Sequence, residues 1–236
     1  MKKLLYIIYC SCSGIHSMSR PFLKKAIKGF TKRPKVLDVG GRKSPYTVGL
    51  PIDLTISDIP RETNIQSQLN LGFTDTITAQ LKARDNVKEV VYDDMTKTNL
   101  APGSFDGVIT IEVIEHVPED EKFVANISKV LKSGGFLILS TPNGDHVIND
   151  TNPDHIRHYR KAELEALLQK YFSKVTVYYA VPDTWFHSKS HYSLKKTKPF
   201  RAMLSITSGI ISGIHSRMTY KNSNVNKEHL FATCIK

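Results

Sequence analysis

From residue 35 onward, two spacings alternate along the chain. Short runs of β-branched and aliphatic residues, bounded by turn residues, give way to stretches whose apolar positions recur every three or four residues. The short runs predict strands at 35–39, 53–57, 88–92, 107–111, 136–140 and 174–179, and an alternating segment at 229–235 predicts a last one. Helices are expected between them at 74–83, 119–131 and 161–171. The 119–131 segment sets Phe123, Ile127, Val130 and Leu131 on one face, and Lys132-Ser133-Gly134-Gly135 supplies the basic-then-glycine stop of a helix C-terminus. Strands alternating with helices are the sign of an α/β domain with a parallel sheet.

Two further helical segments lie outside this alternation. Residues 20–30 place Phe22, Leu23, Ala26, Ile27 and Phe30 at helical spacing, with Lys24, Lys25 and Lys28 on the other face. Residues 200–218 are apolar and free of acids, follow Lys195, Lys196 and Lys198, and carry Gly209 and Gly213, which lower helix propensity. Such a stretch fits a lid helix packed on the core, or a helix lying on an anionic membrane surface. The opening, Met1-Lys2-Lys3 before the apolar run 4–9, imitates a signal peptide, yet six residues cannot span a bilayer. A frayed terminus followed by a helix, on a cytoplasmic protein, is the reading adopted, with a lid or a peripheral membrane contact as the two alternatives for 200–218.

Composition narrows the classes. In 236 residues, 40% hydrophobic and 23% charged content excludes a disordered chain, a collagen-like repeat and a polytopic membrane protein. Three cysteines, Cys10, Cys12 and Cys234, make neither a disulfide framework nor a paired zinc motif. The net charge of +11 is unevenly spread. Residues 1–35 hold nine Lys or Arg and no acid, residues 186–236 hold nine against Glu228 alone, and the middle holds 15 basic against 21 acidic residues. An acidic core between cationic ends argues against a nucleic-acid binder, whose basic surface would be continuous.

The candidate chemistry starts at Val36-Leu37-Asp38-Val39-Gly40-Gly41-Arg42, a buried strand running into an acid and a glycine turn. Glycines there let the backbone approach a ligand, and the acid accepts hydrogen bonds or orders the loop. The dinucleotide pattern Gly-x-Gly-x-x-Gly is absent, which counts against a nicotinamide-dependent oxidoreductase. Asp58, about twenty residues on at the end of the second strand, suits a carboxylate that takes both hydroxyls of a ribose. Glu112, Glu115 and His116 fall three and four residues apart, so a turn or first helical residues bring them to one side. Two carboxylates and an imidazole can hold a divalent cation, Mg²⁺ by the hard oxygens or Zn²⁺ by the imidazole.

Taken in order, Asp38-Val39-Gly40-Gly41, Asp58, Tyr92-Asp93-Asp94-Met95, Phe105-Asp106-Gly107-Val108, Ile111-Glu112-Val113-Ile114-Glu115-His116 and Leu131-Lys132-Ser133-Gly134-Gly135 resemble the class I S-adenosylmethionine-dependent methyltransferases. The resemblance covers residues 35–180 with the strand 229–235. It implies a Rossmann-like, seven-stranded, mostly parallel sheet with an antiparallel last strand and helices on both faces. It further implies a core at 35–180 completed by 229–236, a basic N-terminal extension and helix at 1–34, and a basic apolar insertion or lid at 181–228.

The same resemblance assigns cofactor roles. Asp38, Gly40 and Gly41 would hold the amino-acid part of S-adenosylmethionine, Asp58 its ribose and Asp94 its adenine, with Met95 flanking the ring and Glu112 under the sulfonium. Arg42 and Ser44 depart from the family's glycine-rich loop, and Tyr46 is placed to close over the methionine moiety. Glu-x-x-Glu-His resembles the metal-site pattern of ubiquinone-biosynthesis O-methyltransferases and small-RNA 2′-O-methyltransferases, with His155 as the downstream histidine. Glu112, Glu115, His116 and His155 are thus candidate metal ligands, and His116 or His155 a candidate general base.

The expectation is O-methylation of a small-molecule, glycan or lipid-linked acceptor. Metal-assisted 2′-O-methylation of RNA is the alternative, and a scaffold that kept the fold but lost the reaction is a third reading. Asp183, Trp185, Phe186, His187, His191 and Tyr192 are candidates to line the acceptor pocket.

Overall fold

A computed structural model describes residues 14–42, 44–61, 72–146, 152–185, 199–222 and 226–236. Its centre is a seven-stranded sheet of β1 (Lys35–Val39), β2 (Asp53–Asp58), β3 (Val87–Tyr92), β4 (Phe105–Ile111), β5 (Leu131–Pro142), β6 (Lys174–Pro182) and β7 (Lys227–Ile235). The order is β3-β2-β1-β4-β5-β7-β6. The first five strands run parallel, and β7 lies antiparallel to both β5 and β6. The order reverses beside β1 and β4, whose carboxyl ends therefore open a crevice.

Side chains along the central strands alternate between two cores. Leu37 and Val39 of β1, Val108 of β4, and Leu137 and Leu139 of β5 face one of them. Val36, Ile109 and Ile138 from the same strands face the other. Strands buried on both faces read as continuous apolar runs, which is why the sequence pattern found them.

Among the described residues the helices are α1 (Gly14–Ile27), α2 (Asp75–Lys82), α3 (Asp120–Val130), α4 (Lys161–Gln169) and α5 (Pro199–Thr219). Phe123 and Ile127 of α3 with Leu164 and Leu168 of α4 fill the first core. Met18, Leu23 and Ile27 of α1 with Leu81 of α2 fill the second.

Several predicted boundaries move, that of β5 among them: it runs from Leu131 to Pro142, where 136–140 was expected. The first helix begins six residues earlier than expected, because Pro21, which reads as a helix start, lies inside it. Strand β6 runs on to Pro182 and β7 starts at Lys227. The apolar run 4–9, Cys10 and Cys12 lie outside the described residues.

Helix α5 reverses the usual amphipathic arrangement. It packs on α1 and β6. Its inward side is Ser205, Ser208, Gly209, Ser212, Gly213 and Ser216, all buried, while Phe200, Met203, Ile210, Ile211, Ile214 and Met218 are exposed. Small residues at three- and four-residue spacing let the helix sit close to its neighbours. The Ser216 hydroxyl donates to the Ser212 carbonyl at 2.8 Å, so its burial leaves no lost bond. At the C-terminal end, the buried Lys227 ammonium donates to the carbonyls of Thr219 at 2.6 Å and Asn222 at 3.0 Å. A cation on the last carbonyls complements the helix dipole.

Gly107 of β4 faces the Phe136 ring of β5 so closely that an added Cβ would stand 2.1 Å from the ring. Gly107→Ala should therefore overpack the sheet and lower the unfolding free energy by about 1–3 kcal/mol, read from urea denaturation.

Candidate active site

The carboxyl ends of β1, β2 and β4 open into a cavity of about 670 Å³. Its wall includes Gly40, Arg42, Ser44, Tyr46, Asp58, Asp93, Asp94, Met95, Glu112 and His116, with Ile15 and His16 contributed by α1. The sequence-predicted residues Gly40, Asp58, Asp94, Met95, Glu112 and His116 thus share one cavity.

The loop after β1 is organised by Asp38, which is fully buried. Its carboxyl accepts from the Ser44 hydroxyl and, at 2.9 Å, from the Tyr46 hydroxyl. Burial pushes its pKa up to about 7, although Ser44, Tyr46 and Arg84 pull the other way. Gly40 has φ +71°, and a Cβ there would lie 2.5 Å from Val113 Cγ2; one on Gly41 would lie 2.5 Å from the Asp38 carboxyl carbon. Both positions are closed to larger residues, and the loop lies tight against Val113, two residues past β4. Ser44, where the resembled family has glycine, takes φ +28° itself. Its strain is held by hydrogen bonds: its hydroxyl also meets Thr47 Oγ1 at 2.7 Å, and Arg84 donates to its carbonyl at 3.1 Å. The departure at Ser44 reshapes the loop without opening it.

Asp58 ends β2 with its carboxylate on the Ile59 N–H at 2.8 Å. Burial raises its pKa to about 6, against the pull of that N–H, Arg42 and Arg61. Arg42 is half buried, and burial depresses its pKa while Asp58 supports the charge. One guanidinium nitrogen of Arg42 has no hydrogen-bond partner among the described residues.

The turn after β3 separates two adjacent acids. Asp94 is occupied locally, accepting from the Thr96 N–H at 3.0 Å and the Thr96 hydroxyl at 2.8 Å. Asp93 accepts from the Asn99 N–H at 3.1 Å through one oxygen, and its other oxygen is buried without a partner among the described residues. Asp93 is the acid to which the resemblance assigns no role, and the orphaned oxygen distinguishes it from Asp94. Asn126 of α3 donates to the carbonyls of Met95 and Thr96 at 2.9 and 3.0 Å, fixing the turn and the buried Met95.

Glu112, just past β4, stands at φ +57°. Ser140 of β5 donates to one of its oxygens at 2.7 Å, and His229 of β7 pairs with the other at 3.0 Å. Burial opposes ionisation of both partners, but their mutual attraction wins: Glu112 is held below the ordinary carboxylate range and His229 above the ordinary imidazole range.

The four candidate metal ligands divide. Glu115, His116 and His155 come together, with one ligand atom of each within 4.8 Å of the others, while Glu112 is turned to Ser140 and His229. Glu115 is buried and accepts from Thr141 Oγ1 at 3.1 Å. His116 Nδ1 faces Asp154, 2.9 Å from its carbonyl and 3.0 Å from its carboxylate, and the His155 ring lies 4.8 Å away. Asp154 lies 38 residues from His116, so no helical spacing marks it in the sequence as that ring's partner. Asp183 pairs with His146 at 3.4 Å, Trp185 is exposed, and neither lines this cavity. Phe186, His187, His191 and Tyr192 lie outside the described residues.

A parallel sheet with an antiparallel seventh strand, opening on a glycine turn and a ribose-spaced acid, defines the class I methyltransferase fold. Residues 69–139 match the family model described as "Methyltransferase domain". The chain is 30% identical over 118 residues to a probable S-adenosylmethionine-dependent methyltransferase of Mycolicibacterium smegmatis, covering 48% of this chain and 44% of that one. It is 37% identical over 68 residues to a ubiquinone biosynthesis O-methyltransferase of Chromobacterium violaceum, covering 28% of this chain and 29% of that one. The chain thus matches less than half the length of these curated relatives. Among solved structures, phosphoethanolamine N-methyltransferase 2 of Haemonchus contortus, bound to S-adenosyl-L-methionine, superposes with a TM-score of 0.64 at 17% identity, covering 93% of this chain and 52% of that one. The fold is that of the class I S-adenosylmethionine-dependent methyltransferases, and within it residues 69–139 match the methyltransferase-domain model, with distant similarity to the ubiquinone O-methyltransferases.

An acid whose folded pKa lies above its unfolded value stabilises the fold at low pH and loses that contribution as pH climbs to the folded value. For Asp38 the window runs from about pH 4 to about pH 7. Across it, the wild type should lose up to about 4 kcal/mol relative to Asp38→Asn, which cannot ionise. Urea unfolding of both proteins at the two ends of the window measures the difference; parallel curves would contradict it.

Proposed function

We propose that the protein is an S-adenosylmethionine-dependent O-methyltransferase acting on a small-molecule, glycan or lipid-linked acceptor. The observation that carries this reading is His116 on the cavity wall beside Glu112, its Nδ1 set against Asp154. A ring so oriented leaves Nε2 to take the proton of an acceptor hydroxyl, as O-methylation requires.

The cavity's chemistry fits the cofactor: a glycine at φ +71° that a Cβ would block, Asp58 at the end of β2 on its wall, and a buried carboxylate oxygen on Asp93 that lacks a donor among the described residues. Asp58 would bind the ribose, Asp93 and Asp94 the adenine edge, Met95 its face, and the Asp38–Gly40–Gly41 loop the amino-acid part. When bound, the cofactor supplies a methyl group already activated on a sulfonium. The chain's own part is orientation, exclusion of water and proton removal. Glu112, ionised and fixed by Ser140 and His229, provides negative charge at the end of β4, where positive charge would sit. Ubiquinone O-methyltransferases among the relatives support an oxygen acceptor, and the phosphoethanolamine enzyme shows that the fold alone does not choose the atom.

A second reading adds a divalent cation, favoured by the convergence of Glu115, His116 and His155. Two imidazoles and one carboxylate suit Zn²⁺ or Mn²⁺ better than Mg²⁺. The cation would then hold the acceptor oxygen, and His116 would be its ligand rather than a base.

Titration calorimetry with S-adenosylhomocysteine in metal-free buffer should give micromolar binding that Asp58→Ala abolishes. No binding to folded wild-type protein would leave the scaffold reading in its place. Once an acceptor is found, His116→Ala should lower kcat by about a hundredfold or more while leaving S-adenosylhomocysteine affinity nearly unchanged. Unaltered turnover in both His116→Ala and His155→Ala would remove the base.

A further inference from the structure

The exposed face of α5 has no partner within the described chain. Phe200 is 72% exposed, Met203 58%, Ile210 39%, Ile211 43%, Ile214 46% and Met218 77%. Successive members lie three, seven, one, three and four residues apart, which at 3.6 residues per turn keeps them on one side of a helix of 21 residues. The buried side of the same helix is serine and glycine. A surface helix normally buries its apolar stripe and exposes its polar one. Here the core is satisfied by the small residues, and the large apolar side chains are left facing outward. An ordered apolar stripe of this kind marks an interaction surface.

Charge identifies what the stripe meets. Helix α5 contains no Asp or Glu, and Arg217 and Lys221 are exposed at its C-terminal end. Helix α1, packed alongside, exposes Lys24 and Lys25, with Lys28 just past its end, within two turns of Phe22, whose ring contacts Tyr220 at 5.3 Å. A second copy would set cations against cations, since a two-fold contact places each surface opposite itself. An apolar stripe bordered by Lys and Arg instead matches the acyl boundary and anionic headgroups of a bilayer surface. No helix among the described residues is long and apolar enough to cross a membrane, so the contact is in-plane.

We infer that the outward face of α5 docks the protein on an anionic lipid surface, with Met203, Ile210, Ile211, Ile214 and Met218 entering the acyl boundary and Arg217 and Lys221 at the headgroups. This stands independently of the methyl-transfer reading, because docking requires neither cofactor nor acceptor.

The test is flotation of the full chain with phosphatidylcholine vesicles, with and without phosphatidylglycerol. Wild-type protein should float with the anionic vesicles at least tenfold better than with the neutral ones, and the advantage should shrink as salt is raised. Replacing Ile210, Ile211 and Ile214 together by Gln, which a helix accepts readily, should lower flotation at least tenfold. The triple Leu variant should float like wild type. Unchanged thermal unfolding and S-adenosylhomocysteine affinity in the Gln variant would show that the fold is intact. Absence of flotation, equal flotation with both vesicles, or a Gln variant that floats normally would overturn the inference. So would a dimer in sedimentation velocity that the Gln variant abolishes, which would make the face a contact between copies.

Discussion

At the end of β1, the Asp38 carboxyl is enclosed, and the loop that follows is arranged to meet it. Ser44 and Tyr46 turn inward to donate to it, and Gly41 leaves room for it. Once those residues point inward, their backbone needs partners elsewhere. Arg20 of α1 donates to the carbonyls of Tyr46 and Val48, and Asn86 to that of Thr47. The buried acid therefore fixes the loop and ties the N-terminal helix over it, which is how Ile15 and His16 come to line the cavity. Removing water from a carboxyl is costly unless hydrogen bonds replace it, so the loop has one good arrangement.

The sheet was legible in the sequence because its inner strands are buried on both sides and read as uninterrupted apolar runs. Asp38, Gly40 and Asp58 were legible because strand, turn and acid follow one another closely along the chain. What escaped was long-range. His229 meets Glu112 only because β7 inserts between β5 and β6, and no local spacing announces a partner more than a hundred residues away. Asp93 and Asp94 are equivalent in sequence; the Thr96 bonds that occupy one and leave an oxygen of the other bare depend on the turn's geometry.

Helix α5 was legible as a helix at 200–218, but the side it would bury was not. Hydropathy assigns the apolar side to the interior, but close approach favours small residues, and here the neighbours α1 and β6 select serine and glycine. The periodicity was visible, whereas the direction of the helix face was a packing outcome. Its exposed isoleucines and methionines are compatible with a stable fold because they contribute nothing to the two cores on which the sheet rests.

Lys227 and His229 are two residues apart on β7. The first anchors the last carbonyls of α5, and the second pairs with Glu112 at the end of β4. Two residues of extended strand span only about 7 Å. The surface helix and the candidate site are thus fastened to one short rod, and a load that lifts the helix must either strip the ammonium from its carbonyls or carry the imidazole with it.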